Sequence, residues 1–375
     1  MKQIKLVISD FHLSRGKWLP DGRRNPLEDF HQDDRFGEFL KHYSTGDFHE
    51  ASVELIINGD FFDPLAVMPP DLSLHELRRI EFPIDVEEHA AVEQIKTILK
   101  GHPATVSAMK DFLERGKKIT FRWGNHDASI LWPAVQRVIT ETLSPPSADQ
   151  IEFQDKPYIF DRICVDHGHQ YEALNHFDED QHFVERKTKS GKKTILSLPF
   201  GSFFVLGFLN RVKLERKYIN QVQPFHLYLK YALLYEPVFF VVNGTRATWF
   251  FVKMRFVTHP MRFAHFGKTL RIIYEIFRRV DLEDEAEKLL MGAGSDTLAF
   301  DTLILGHNHQ AKVRVFPNGK QYINTGTWIP VTSLDIGALG HRILRTYAYI
   351  EYLDGWPRAS LRIWNGCPRI SDEFT

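Results

Sequence analysis

Five short polar motifs, each closing an apolar run, most constrain what this chain can fold into. Lys5-Leu6-Val7-Ile8 leads into Ser9-Asp10-Phe11-His12, and Val53-Glu54-Leu55-Ile56-Ile57 into Asn58-Gly59-Asp60-Phe61-Phe62-Asp63. Lys118 to Trp123 leads into Gly124-Asn125-His126-Asp127, Arg162 to Val165 into Asp166-His167-Gly168-His169, and Thr302 to Leu305 into Gly306-His307-Asn308-His309. Runs this short, β-branched or aromatic and stopped by turn formers, predict buried strands that deliver polar side chains from their carboxyl ends. Val86 to Glu114 carries helical apolar spacing that Pro103 divides into two helices. Strands alternating with helices predict a layered α/β core.

Taken singly, the motifs are ordinary. Gly-Asp is a common turn, because Gly supplies unusual backbone angles and Asp caps them. Gly-His-x-His says more, since alternate positions on an extended strand end point to the same side. Five of them in series are a different matter. They supply Asp10, His12, Asp60, Asn125, His167, His307 and His309, a mixed imidazole and oxygen donor set without thiolate. Such donors suit Mn, Fe or Zn, with Mn the first expectation.

In order and content the motifs resemble the calcineurin-like metallophosphoesterase superfamily. The resemblance implies a four-layer α/β/β/α sandwich and two divalent cations, with a phosphoester or pyrophosphate bond as the target. Two cations roughly 3.5–4 Å apart can neutralise phosphoryl oxygens and activate water. It makes Asp60 the bridging ligand, with Asp10, His12 and His309 completing one site and Asn125, His167 and His307 the other. It also implies that His126, oriented by Asp63, protonates the leaving oxygen, a role suited to a His held by Asp. His169 stays open between replacing His167 as ligand and binding substrate.

Length and charge set the remaining expectations. At 375 residues the chain can bury one large core with a substantial insertion, or two domains. Its two cysteines, Cys164 and Cys367, offer no disulfide framework. The first strand begins almost at Met1, so a cleavable signal peptide is not expected and a cytoplasmic location is. The formal charge is −1, yet residues 181–280 hold 18 Lys or Arg against 4 Glu and no Asp, and 20 of the 49 aromatics. We therefore divide the chain into a first core part (1–180), a basic, aromatic-rich, largely helical insertion (181–280) and a second core part (281–375).

Three apolar patches mark the insertion: Thr194 to Asn210, Tyr231 to Val242, and Trp249-Phe250-Phe251-Val252. None reads as a spanning helix, and apolar stretches bracketed by Lys and Arg suit the headgroup layer of an anionic membrane or an acyl-chain pocket. A helical cap core or a homo-oligomer interface would carry the same pattern, and nucleic acid would use the cations and aromatics less well over such uncharged runs. The UDP-2,3-diacylglucosamine pyrophosphatases are similar in having a hydrophobic, basic cap, although that branch carries Arg where this chain has His126. The expected substrate is thus a phosphorylated small molecule or lipid. A soluble nucleotide or nucleic-acid phosphodiesterase, or a non-catalytic scaffold, is the alternative.

Elsewhere, the polar loop after His12 offers Arg15, Arg23 and Arg24 as phosphate-binding candidates at the pocket mouth. An acid-rich helix is expected over Leu282 to Leu290. Lys312 to Phe316 and Gln321 to Asn324 read as a hairpin. Thr346 to Leu353 and Ala359 to Trp364 read as the last strands of the second sheet.

Overall fold

The computed structural model describes residues 2–67, 86–178, 181–188, 191–223, 225–256, 281–292, 294, 297–334 and 339–366. Cys367 and positions 257–280 of the insertion lie outside them. The five apolar runs form the strands Gln3–Ile8, Ser52–Asn58, Lys118–Arg122, Ile163–Val165 and Thr302–Leu305. Helices Glu88–Gly101 and Pro103–Glu114 meet at the expected proline.

Two sheets carry the fold. The first orders its six strands as Trp356–Ile363, Thr346–Leu353, Gln3–Ile8, Ser52–Asn58, Lys118–Arg122 and Ile151–Gln154. The second orders its five as Lys312–Val315, Gln321–Asn324, Thr302–Leu305, Ile163–Val165 and Tyr158–Phe160. The strands that end in the motifs run parallel to their sequence-order neighbours, Gln3–Ile8 with Ser52–Asn58 and that strand with Lys118–Arg122. Ile163–Val165 and Thr302–Leu305 are likewise parallel.

Period-two alternation assigns the faces. Val7, Ile56, Ala348 and Ile350 of the first sheet pack against Ile163, Val165, Ile304 and Ile323 of the second, so the sheets face each other across a thin aliphatic core. On the outer face of the first sheet, Ile4, Leu6, Leu55, Ile57 and Phe121 meet Phe36, Ile95, Phe112 and Ile139 from the flanking helices. Behind the second sheet, Leu303, Leu305 and Tyr322 meet Leu282, Ala286 and Leu290 of the acid-rich helix Leu282–Met291. The layers are therefore helix, sheet, sheet, helix.

One expectation needs correction. The final strands join the first sheet, Thr346–Leu353 running antiparallel to Gln3–Ile8 with Leu6 opposite Tyr349. Alternation shows which faces are buried but not which neighbour supplies the hydrogen bonds. The largely helical insertion opens with the antiparallel pair Phe183–Thr188 and Gly191–Leu196.

Helical segments follow. Phe200–Phe204, Val205–Leu209 and Asn210–Glu215 form one continuous run whose middle turn is a π-helix. Leu196, Leu198, Phe200, Phe203 and Leu206 enter the same core as the first sheet and its helices. The first apolar patch is thus interior to the protein. Helix Pro237–Phe256 packs on this run at Gly207, where any side chain would strike the Phe250 ring. A buried carboxylate fastens the insertion to the loop after His12. Asp29 accepts from Lys213 Nζ (2.6 Å), Asn220 Nδ2 (2.8 Å) and Gln221 Nε2 (2.9 Å).

Candidate metal centre

At the carboxyl ends of the parallel strands, where α/β sheets place their ligand sites, the chain turns sharply. Asp10, His12, Asp60, His307 and His309 all have positive φ, between 50° and 71°. Non-glycine residues adopt this left-handed conformation at a cost of about 1–3 kcal/mol each, and clusters of it mark functional sites. Close backbone approach completes the turns. A Cβ on Gly124 would collide with the Asp60 carboxylate and with the Asp60 backbone nitrogen.

The turns gather the ligands into groups. Asp10, His12 and His309 form one, Asp60, His167 and His307 a second, and His12, Asp63 and His126 a third, the ligand atoms of each lying within 4.8 Å of one another. Asp60 stands between the first two. Its Oδ2 is 3.2 Å from His167 Nε2 and 3.9 Å from His12 Nε2, while its Oδ1 accepts the His126 backbone N–H (2.8 Å). Asn125 lies between Gly124 and His126, both of which touch Asp60, and its buried Oδ1 has no hydrogen-bond partner among the described residues.

The donors are arranged for cations. His167 Nδ1 donates to the Asn58 carbonyl (2.8 Å), which leaves Nε2 facing the Asp60 carboxylate, where a proton or a cation must lie between them. His12 Nε2 and His309 Nε2 face each other at 3.0 Å. Two acceptors at such distances repel unless a proton or a metal ion lies between them. Three fully desolvated carboxylates, Asp10, Asp60 and Asp63, reinforce the demand. Burial works to lower the His167 pKa, yet Asp60 and Asp10 outweigh it and lift it to about 10. The residues present thus fit two divalent ions, and the donor chemistry leaves the choice of metal open.

Around the ligands stands a second ring, which sequence reasoning saw only in part. Asp127 accepts from the backbone nitrogens of Asp60 (3.1 Å), Phe61 (2.9 Å), Phe62 (3.3 Å) and Gly124 (2.6 Å), binding the two ligand turns together. Glu172 holds His307 Nε2 at 2.9 Å and leaves His307 Nδ1 buried and without a partner among the described residues. Glu172 follows the short turn His169–Tyr171, and no motif signals it. Arg122 and Asn58 both bind Asp166, tying the ends of the two sheets.

The other predicted residues fall in different places. His126 Nδ1 bonds Asp63 Oδ1 at 3.0 Å, and the His126 side chain remains 18% exposed where the candidate ligand Asp10 is closed off. Burial opposes protonation of His126, but Asp63 and Asp60 raise its pKa to about 9. His167 belongs to a ligand group, whereas His169 packs behind it against Trp123 and Phe177. Burial, with His167 and Arg122 nearby, drives the His169 pKa well down and keeps the ring neutral. Arg23 is exposed and paired with Asp21, Arg24 bonds His31 Nε2 (3.3 Å), and Arg15 lies where the loop presses on Gly101.

No protein-family model matches this sequence, and no curated protein matches it. Among solved structures, the chain is similar to a dimetal phosphatase from Danio rerio at 10% identity, covering 97% of this chain and 96% of that one, with a TM-score of 0.34. A conserved uncharacterized protein from Streptococcus pneumoniae, described as a predicted phosphoesterase, shares 9% identity over 99% and 94% of the two chains, TM-score 0.25. A Vps29 double mutant from Entamoeba histolytica shares 19% identity over 24% of this chain and 52% of its own, TM-score 0.12. Likenesses this low carry no weight for activity. The fold and the candidate ligand groups rest on the strand order and side-chain geometry of this chain.

Proposed function

We propose that this chain is a two-metal phosphohydrolase acting on a phosphoester or pyrophosphate bond, with a lipid-linked substrate. The observation that carries the hydrolase reading is the position of Asp60 Oδ2 between His12 Nε2 and His167 Nε2. Asp60 would serve both ions, Asp10, His12 and His309 one, and Asn125, His167 and His307 the other. When bound, the ions supply charge neutralisation for the phosphoryl oxygens and a water acidic enough to lose its proton near neutral pH.

The protein's own groups do the remaining work. His126 presents its Nε2 at the partly open side of the cluster, while Asp63 holds Nδ1 and favours the protonated ring. It can therefore release a proton to the leaving oxygen and regain one from solvent. Asp63 also stands 3.4 Å from His12 Nδ1, so one carboxylate positions both a ligand and the acid. Glu172 and Asp127 hold the cluster rigid, which preserves its geometry during turnover.

Support for a lipid substrate comes from the outer helices. Leu234, Tyr235, Val238 and Trp249 are each at least 67% exposed. They belong to a segment with 14 more cations than anions, so an anionic membrane surface is the complementary partner. No helix among the described residues is long and apolar enough to cross a membrane, so contact would be peripheral. Manganese is the metal we would load first, and the inner face of a cytoplasmic membrane is the proposed location.

Matched substrates test this reading. Mn-loaded protein should cleave an acylated UDP-sugar pyrophosphate in mixed micelles faster than its deacylated counterpart. Equal or better cleavage of the deacylated form would move the assignment to a soluble nucleotide or phosphodiester.

A further inference from the structure

A cationic cluster lies on the seam between the loop after His12 and the insertion. The loop doubles back as a short hairpin, with Trp18 bridged to Arg24 and the Asn25 N–H bonded to the Lys17 carbonyl. Arg24 Nη2 then meets His31 Nε2 at 3.3 Å. Arginine has only donors, so His31 Nε2 must accept and its ring proton must sit on Nδ1. That Nδ1 is buried and finds no partner among the described residues.

Lys217 approaches from the insertion, just beyond helix Asn210–Glu215. Burial, with Arg24 and Lys217 nearby and Lys17 to a smaller extent, pushes the His31 pKa down to about 4 against the opposing charge of Asp29. Asp29 is already engaged by Lys213, Asn220 and Gln221, and Asp21 by Arg23. Among the described residues, Lys17, Arg24 and Lys217 form no ion pair. Donors therefore outnumber acceptors here, which is the composition of an anion site.

We propose that Lys17, Arg24, His31 and Lys217 form a second phosphoryl-binding site, none of whose residues belongs to the candidate ligand groups of the metal centre. The chain connects both sides of the seam to that centre, Lys17 lying five residues after His12 and Lys217 six residues before Gln223, whose Nε2 bonds the carbonyl of Asn308. A substrate with two phosphoryl groups, or a phospholipid headgroup beside the pocket, supplies the chemistry. The inference rests on the phosphohydrolase reading for its biological ligand, although not for binding itself.

The test uses the full chain after chelation, titrated with inorganic pyrophosphate by calorimetry at low ionic strength. Saturable binding is expected, weakened about 10-fold or more in Arg24→Ala and in Lys217→Ala but unchanged in Arg23→Ala, whose guanidinium is paired with Asp21. Lys217→Ala, at a half-buried site, keeps the test usable if Arg24→Ala fails to fold. Absence of saturable binding, or binding in both variants as tight as in the parent, would overturn the proposal. Phosphatidylglycerol vesicles that bind and are displaced by pyrophosphate identify a lipid headgroup as the source, and vesicles indifferent to pyrophosphate identify a free phosphoryl group. Pyrophosphate binding by a protein whose metal-loaded form cleaves no ester would remove the hydrolase reading and leave this site standing. Ester cleavage without pyrophosphate binding would do the reverse.

Discussion

The metal centre and the outer half of the insertion treat solvent in opposite ways. At the centre, the supporting groups are all engaged: Asp127 collects four backbone N–H groups, Asp63 holds two imidazoles, and Glu172 orients a third. Along helix Pro237–Phe256, Val238, Val241 and Trp249 project into water while Phe250 and Phe251 turn toward the core. The first region is built to hold charge in a fixed geometry. The second leaves apolar area uncovered, which a soluble protein rarely does over a contiguous patch unless something binds there. On the function proposed above, the first region would perform the chemistry and the second would select where it is performed.

The largest way to break that contrast is Asp60→Ala. It should abolish metal binding at both positions and lower turnover by roughly three orders of magnitude or more. Elemental analysis that still finds two ions, or retained activity, would refute the bridging role. Next, Phe203→Ser should destabilise the fold by about 3–5 kcal/mol in chemical denaturation, since Phe203 is interior. Leu234, Tyr235 and Trp249 changed together to Ser should leave stability and soluble-ester hydrolysis intact while weakening sedimentation with anionic vesicles. If the triple variant sediments as well as the parent, the division between the regions fails.

Smaller effects sharpen the comparison. Glu172→Gln should weaken metal affinity about 10–100-fold with little change in thermal stability of the metal-free chain, measured by competition with a chelating dye. A pH titration probes the frame between the regions. His102 is buried against Glu28 and Asp33, and although burial opposes its charge, those partners raise its pKa to about 9. A raised folded value means the contribution is complete below about pH 6.5, the unfolded value, and lost as pH rises through 9. Unfolding free energy should therefore fall by roughly 3 kcal/mol over that window. In His102→Ala that pH-dependent loss should disappear.

Much of this architecture could be read from residues because strand ends and ligands coincide. An apolar run that stops at Asp-x-His or Gly-His-x-His gives both the element and its chemistry. What escaped reading had no local signature. Asp127 looks like any turn aspartate until the Phe61 and Phe62 amides arrive from another strand. Glu172 depends on His307, 135 positions away. Phe203 and Trp249 belong to similar stretches of aromatics bracketed by cations, yet one is interior and the other two-thirds exposed. Composition records that apolar area must be covered, while only packing shows by what.

Asp29 has one further consequence, for how such a protein can change over evolutionary time. Its carboxylate belongs to the loop after the first ligands, but three of its hydrogen-bond donors belong to the insertion. Excising the insertion would strand a buried anion, and replacing it with an unrelated cap would have to provide new donors at the same spot. Loop and cap are thus heritable only as a pair. A graft of either into a relative should fail alone and succeed when both are moved together.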